Sequence, residues 1–294
     1  MELNDPNMIR KVFAEGDAVR DAGLTTPTDI TRMDNISYGP YEQWNLLDVY
    51  YQNGVSSCQP TIVSIHGGGY VYGDKDLYQY YCMNLAQRGF TVVNFSYRLA
   101  PEQPFPAQLE DINQVFTWIA ANAQDYNIDL KNLFIVGDSA GAQLSSQYMA
   151  MLTNQEFQKL YDFTVPSEQI HIQAAALNCG MYDMVAFGAA SEEGILPAYL
   201  GGDVKGKLPF VDTMRYVTNA YPPCYVMTSY YDFLKECAKP MYEYLTNLGI
   251  PCEYKLYGTE EQKEMAHVFH LNIRMPEATE CNDAECEFFK RFLK

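Results

Sequence analysis

The sequence predicts an α/β protein: a mostly parallel, eight-stranded sheet with helices on both faces. Three observations point there. From residue 61 onward, short apolar runs alternate with longer stretches whose apolar residues recur every three and four positions, the pattern of a sheet covered on both faces. Most of these runs are rich in β-branched and aromatic residues, as buried strands are. Ahead of them, two further strand patterns joined by Gly39-Pro40 read as an antiparallel start.

Taken in order, residues 7–21 read as a helix, and TDITRMDNISYG (28–39) and WNLLDVYYQ (44–52) as the antiparallel pair. The later strands are TIVSIH (61–66), FTVVNFSY (90–97), NLFIVG (132–137), IHIQAAALN (170–178), PCYVMTSYY (223–231) and CEYKLYG (252–258). Helical spacing falls between them at 76–89, 106–124, after Ser139, at 235–249 and at 284–294. Pro240 fits poorly inside a helix, so that helix is expected to begin there, with proline in its first turn. Residues 181–222 break the alternation and, with the N-terminal helix, are assigned to a cap over one end of the sheet. No repeat or linker divides the chain, so 1–294 reads as a single domain with cap elements at about 1–28 and 181–222.

Composition narrows the function. Twenty basic against 37 acidic residues give a net charge of −17, which repels phosphate backbones and anionic lipid, so neither nucleic acid nor membrane is an expected partner. The N-terminus lacks an apolar h-region behind a basic start, and the chain reads as cytoplasmic. Eight scattered cysteines without a CxxC pair read as reduced and structural, Cys281 with Cys286 being the one pair to watch. Some of the 24 tyrosines are expected to line a wet pocket or the surface.

Two motifs carry chemistry. Gly137-Asp138-Ser139-Ala140-Gly141 lies between a strand and a helix, where small flanking residues let a sharp turn hold the serine oxygen exposed. The adjoining helix N-terminus favours developing negative charge. His66-Gly67-Gly68-Gly69 follows an earlier strand, and its uncovered amides suit an oxyanion. The expected donors are Gly67, Gly68 and Ala140, with Gly69 able to replace one of them. A phosphate cradle would call for GK[ST] or GxGxxG, and neither is present.

A serine nucleophile needs a base, and the base needs an orienting carboxylate. Of four histidines, His66 is taken up by the glycine loop, where it holds the loop by hydrogen bonds, and His171 sits inside a predicted strand. His267 is chosen as base over His270. Asp232, at the C-terminal end of a strand, is chosen as the acid, with Asp183 as the alternative and Glu236 as a support. Asp138 is expected to anchor neighbouring loops. The order Ser139, Asp232, His267 is that of the hydrolase version of this triad.

Over residues 60–270 the chain resembles the hormone-sensitive-lipase-like esterases of the α/β-hydrolase superfamily. The resemblance rests on HGGGY with VYGD (66–74), on YRLAPE (97–102) leading into Phe105-Pro106-Ala107 and Glu110-Asp111, and on GDSAG. Departures are Ala142 after GDSAG, Asp232-Phe-Leu-Lys-Glu236, and Val268 after His267. The resemblance implies the α/β-hydrolase fold with a cap formed by the N-terminus and the segment after the sixth strand, and Arg98 and Glu102 as ion-pair members bracing the loop under the active site. The expected activity is serine carboxylesterase action on short-chain acyl esters, acetyl esters of carbohydrates or small alcohols among them. Tyr182, Tyr199 and Tyr216 are offered as stacking residues for a sugar or aryl alcohol. No cofactor or metal is expected, a small-molecule ester is the partner, and a homodimer is one expected assembly. An amidase or formamidase using the same triad, and a non-catalytic ligand-binding fold, are the competing readings.

Overall fold

The computed structural model describes residues 5–189 and 194–294. Eight strands form one sheet: β1 (Ile30–Ser37), β2 (Leu46–Gln52), β3 (Gln59–Ile65), β4 (Thr91–Phe95), β5 (Ile128–Asp138), β6 (Ile172–Asn178), β7 (Cys224–Ser229) and β8 (Cys252–Tyr257). Their spatial order is β1-β2-β4-β3-β5-β6-β7-β8. β2 is antiparallel to both β1 and β4, and every other neighbouring pair is parallel. The chain leaves β3 for β4 on one side and returns to place β5 on the other. The crevice between β3 and β5 is therefore a topological switch point, where open α/β sheets bind ligands beyond their C-terminal strand ends. His66 follows β3 and Ser139 follows β5, so both motifs open onto that crevice.

The helices are α1 (Pro6–Asp21), α2 (Lys75–Ala86), α3 (Ala107–Asn122), α4 (Ala140–Thr153), the short α5 (Gln155–Gln158), α6 (Met184–Ala189), α7 (Ile195–Tyr199), α8 (Val204–Val211), α9 (Lys235–Asn247) and α10 (Pro276–Lys290). Alternation along the strands divides the core in two. Val63, Ile65, Leu133, Ile135, Ala175 and Leu177 pack with α3, α4 and α9 on one face. Ile62, Phe134, Val136, Ala174 and Ala176 pack with α2 and α10 on the other, as the two-residue strand period requires.

The segments expected as cap fold as α1 and as α6–α8 with a 3₁₀ turn at Met214–Tyr216; residues 1–4 and 190–193 of these stretches lie outside the described residues. α1 starts with Asp5, whose carboxylate accepts the Asn7 amide at 2.9 Å, and with Pro6 in its first turn.

Two expectations are corrected. α9 begins at Lys235 and runs through Pro240; proline removes one hydrogen bond, to the Glu236 carbonyl, and both residues are exposed, where water can replace the donor. His171 lies exposed just before β6 rather than within it. In keeping with the reading of the thiols as reduced, all eight cysteines, Cys281 and Cys286 among them, are unpaired. Thirteen of the 24 tyrosines are buried, with hydroxyls such as those of Tyr97 and Tyr148 donating to the His66 carbonyl at 2.8 Å and to Asn113 at 2.9 Å; others are exposed or, like Tyr72, line a recess, as expected.

One buried carboxyl group reports on the core. Glu285 on α10 accepts from the Tyr81 hydroxyl at 2.8 Å and from the Asn178 side-chain amide at 2.9 Å, yet burial pushes it up from 4.5 to about 7. Between those values the folded protein binds more protons than the unfolded chain, so this group subtracts stability as the pH rises from about 4.5 to about 7. Comparing urea unfolding of wild type and Glu285→Gln at pH 4.5, 6 and 8 should show wild type losing ground to the variant across that window; a constant difference would contradict it.

Candidate active site

Ser139 has φ 53° and ψ −119°, a conformation that L-residues adopt only when the surroundings hold them in it. The flanking glycines are what permit it. A Cβ on Gly137 would strike the Gly141 carbonyl, and one on Gly141 would strike the carbonyls of Ile65 and His66. The Ser139 amide donates to the Asn178 carbonyl at 2.9 Å, fixing the turn to the end of β6.

Asp232 and His267 reach the serine from β7 and the loop after β8. The Ser229 hydroxyl donates to the Ala266 carbonyl at 2.8 Å, and the Tyr231 amide donates to the Met265 carbonyl at 2.9 Å. These bonds hold the histidine loop against the end of β7. His267 Nδ1 lies 2.6 Å from Asp232 Oδ1, and His267 Nε2 lies 2.9 Å from Ser139 Oγ. Burial works to raise the Asp232 pKa; bonds from His267, the Leu234 amide and the Thr228 hydroxyl outweigh it and hold the carboxyl below its ordinary value. The structure thus brings Ser139, Asp232 and His267 into one hydrogen-bonded chain.

The other candidate acids and bases stand apart. Asp183 is exposed and its carboxylate accepts the Ala186 amide at the start of α6. Glu236 is exposed on α9. His270 is buried with neither ring nitrogen bonded among the described residues, and burial pushes it down to about 3. His66 is buried, stacks on Tyr97 at 3.9 Å between ring centroids and places Nδ1 2.7 Å from the Gly67 carbonyl; burial pushes it down to about 4.

The Gly67 amide is not an oxyanion donor. It donates to the Tyr78 hydroxyl at 2.8 Å, and that hydroxyl donates to Asp138 Oδ2 at 2.8 Å. The amides of Gly68, Gly69 and Ala140 donate to no group among the described residues, which leaves them as the available set. Through the Tyr78 hydroxyl Asp138 ties the glycine loop to the serine turn, and burial pushes its carboxyl up to about 6 against the opposing pull of Tyr78. Arg98 and Glu102 are both ion-paired, but with different partners. Arg98 binds Asp111 at 2.9 Å and Glu110 at 2.7 Å, while Glu102 binds Arg10 of α1 at 2.6 Å.

Two recesses flank Ser139 and His267, sharing Phe13 and Phe233 between them. The larger, about 260 Å³, runs under α1 past Gly16, Asp17 and Arg20. The smaller, about 100 Å³, is apolar and is formed by Tyr70, Met181, Met184 and Leu196 with neighbours. Tyr182, Tyr199 and Tyr216 line neither recess: Tyr182 and Tyr199 are buried, Tyr199 stacks on Tyr70 and Tyr216 on Phe157. The aromatic groups shared by both recesses are Phe13 and Phe233, the latter 70% exposed and 4.1 Å from His267 between ring centroids, while Tyr72 and Tyr78 line the larger recess and Tyr70 the smaller. Tyr78, Phe233 and the buried Cys179, whose thiol lies beside Asp232, were not singled out from the sequence. Only the adjacency of Phe233 to Asp232 offered a signal.

Fold and serine turn together are those of the α/β hydrolases. The family model described as BD-FAE matches residues 47–238, about two thirds of the chain, and the protein belongs to that family. Similar solved structures include Esterase B from Lactobacillus rhamnosis, 23% identical with a TM-score of 0.87 over 97% of this chain and 96% of that one. The carboxylesterase EstE1 from a metagenomic library is 20% identical, with a TM-score of 0.76 over 99% and 98% of the two chains. A bacterial heroin esterase is 16% identical, with a TM-score of 0.73 over 100% and 93%. None of the described helices is long and apolar enough to cross a membrane.

Tyr78→Phe would strip a buried amide of its acceptor and a buried carboxylate of its donor. The expected loss is about 1–3 kcal/mol, read by urea unfolding; an unchanged midpoint and slope would show that the bridge contributes nothing.

Proposed function

We propose that the protein is a serine carboxylesterase that hydrolyses short-chain acyl esters through an acyl-enzyme. The observation that carries this reading is the hydrogen-bonded chain Ser139–His267–Asp232, with the serine on a strained turn at the start of α4. Ser139 Oγ attacks the ester carbonyl while His267 Nε2 takes its proton. Asp232 holds the imidazole and stabilises its charged form, for which its lowered pKa suits it. The C=O electron pair moves onto oxygen, where the Gly68, Gly69 and Ala140 amides are the donors and the α4 N-terminus adds positive potential. Collapse breaks the bond to the alcohol oxygen, which takes the proton from His267. Water then attacks the acyl-serine by the same steps and releases the acid.

The size of the smaller recess supports a short acyl chain. At about 100 Å³ it holds roughly three water volumes, which corresponds to an acetyl to butyryl group. Esterase B of the same fold is described as inhibited by a C4–C4 tributyrin phosphonate, which accords with a short acyl site here. Acetyl esters of carbohydrates or small alcohols fall within this substrate class.

The test is hydrolysis of p-nitrophenyl acetate, butyrate, octanoate and palmitate. Acetate and butyrate should be turned over fastest and palmitate at least ~100-fold more slowly, and Ser139→Ala should lose on the order of 10³-fold or more in kcat. Activity surviving in Ser139→Ala would overturn the reading. Leu196 is buried in the wall of the smaller recess, so Leu196→Ala should move the preferred chain length from butyrate towards octanoate. A chain-length profile identical to wild type would place the acyl group elsewhere.

A further inference from the structure

Gly16 lies in the interior of α1, where glycine costs about 0.5–1 kcal/mol relative to alanine. The usual reasons for accepting that cost are missing. Its φ is not in the left-handed region, and a Cβ built on it meets nothing within 4 Å. By contrast, a Cβ on Gly67, Gly68, Gly73, Gly137 or Gly141 would collide with neighbouring atoms. What Gly16 does is leave open the wall of the larger recess beside Ser139. The neighbouring lining residues Phe13, Asp17 and Arg20 follow at helical spacing, so one face of α1 is turned to the site.

That face is polar in a defined way. Asp17 accepts from Arg20 Nη1 at 2.8 Å and from the Tyr72 hydroxyl at 2.8 Å. Arg20 also binds Asp21 and the Leu77 carbonyl. Held in place by these bonds, the carboxylate keeps unused lone pairs and the guanidinium an unused N–H, a donor and acceptor side by side as a hydroxyl requires. Two carboxylates against one guanidinium leave this group net negative, which disfavours an anionic alcohol. Beside it, Phe13 packs edge-on against Tyr72, with ring centroids 5.8 Å apart. A volume of about 260 Å³ equals roughly nine water volumes, enough for a glycerol unit or most of a hexose ring.

We propose that the larger recess takes the alcohol half of the ester, that Gly16 sets how bulky that alcohol may be, and that Asp17 and Arg20 bind the hydroxyls of a neutral polyol. This rests on Ser139 being the esterase nucleophile. The alcohol leaves when its C–O bond to the acyl carbon breaks and takes its proton from His267, so it must lie within reach of that imidazole. Both recesses meet this condition, and the larger one is assigned to the alcohol by its volume and by the polar face of α1, which the apolar smaller recess lacks.

The test keeps the acyl group constant. Ethyl acetate, monoacetin, triacetin and methyl 6-O-acetyl-glucoside are compared in wild type, Ser139→Ala, Gly16→Ala, Gly16→Leu and Asp17→Asn. In Gly16→Leu the ratio of kcat/KM for the acetyl-glucoside over ethyl acetate should fall at least tenfold, chiefly through KM, with Gly16→Ala intermediate and raised in Tm. Asp17→Asn should lower the ratio for monoacetin and the glucoside, which carry free hydroxyls, more than for triacetin, which has none. Monoacetin against the glucoside separates a glycerol from a sugar source. If ethyl acetate turnover survives in Ser139→Ala, the esterase reading fails. If it is lost there but the Gly16→Leu ratios match wild type, the esterase reading stands and this inference is wrong.

Discussion

The positive φ of Ser139 is the constraint on which the site depends. A serine held at φ 53° between β5 and α4 points its oxygen out of the sheet edge, and the turn closes only because Gly141 passes against the carbonyls of Ile65 and His66. That close approach joins the nucleophile turn to the end of β3, where the glycine loop starts. The distance between the attacking oxygen and the Gly68 and Gly69 amides is therefore fixed by backbone packing, not by flexible side chains. Register does the rest: Asp138 pairs with Asn178 across β5 and β6, and the Ser139 amide continues that ladder by one step.

Two aspartates near the serine are driven in opposite directions. Asp232 accepts from an imidazole, an amide and a hydroxyl, and its carboxyl is held below the ordinary value. Asp138, fully enclosed with the Tyr78 hydroxyl as its hydrogen-bonding side chain, is pushed up to about 6. The group that must stabilise an imidazolium is the one whose charge is stabilised, and the group that resists ionisation is spent on tying loops together. Divergent environments of this kind separate roles among chemically identical side chains.

The eight strands, the serine turn and the glycine loop were legible because each leaves a local signature: an apolar run, or glycines at fixed offsets from a strand end. The fate of the Gly67 amide was not, since it depends on Tyr78, eleven residues along the chain on α2, which swings a hydroxyl into the loop. Tyr182, offered as a stacking residue but buried with its hydroxyl on the Leu177 carbonyl, misled for a related reason. A ring with a hydroxyl reads as amphipathic, but whether it faces water depends on finding an acceptor such as the His66 carbonyl for Tyr97, and acceptors are supplied by the fold. Pro240 misled because a helix tolerates a missing amide where its freed carbonyl faces solvent. Val268 adopts φ 54° directly after His267, a position where glycine would be unstrained, and no local pattern announces that a β-branched residue will be held there.

α1 is attached differently from the rest of the molecule. Only Ile9 among its residues is fully buried, so apolar burial contributes little to holding it. Its anchors are guanidinium groups on backbone carbonyls: Arg10 on Val71 and Ala100, and Arg20 on Leu77. Arg274 reaches back to the carbonyls of Arg20 and Ala22. Charge-assisted bonds of this kind are stronger than neutral ones and strongly directional, and they reach the glycine loop, the YRLAPE segment and α2, the surroundings of the oxyanion donors. The exposed pair of Arg10 with Glu102 adds little on its own. A helix fixed by directional polar bonds over few apolar contacts belongs to the less stable end of a fold. It can be precisely seated over Ser139 and still separate from the sheet at lower cost than α3 or α4, which bury their apolar faces.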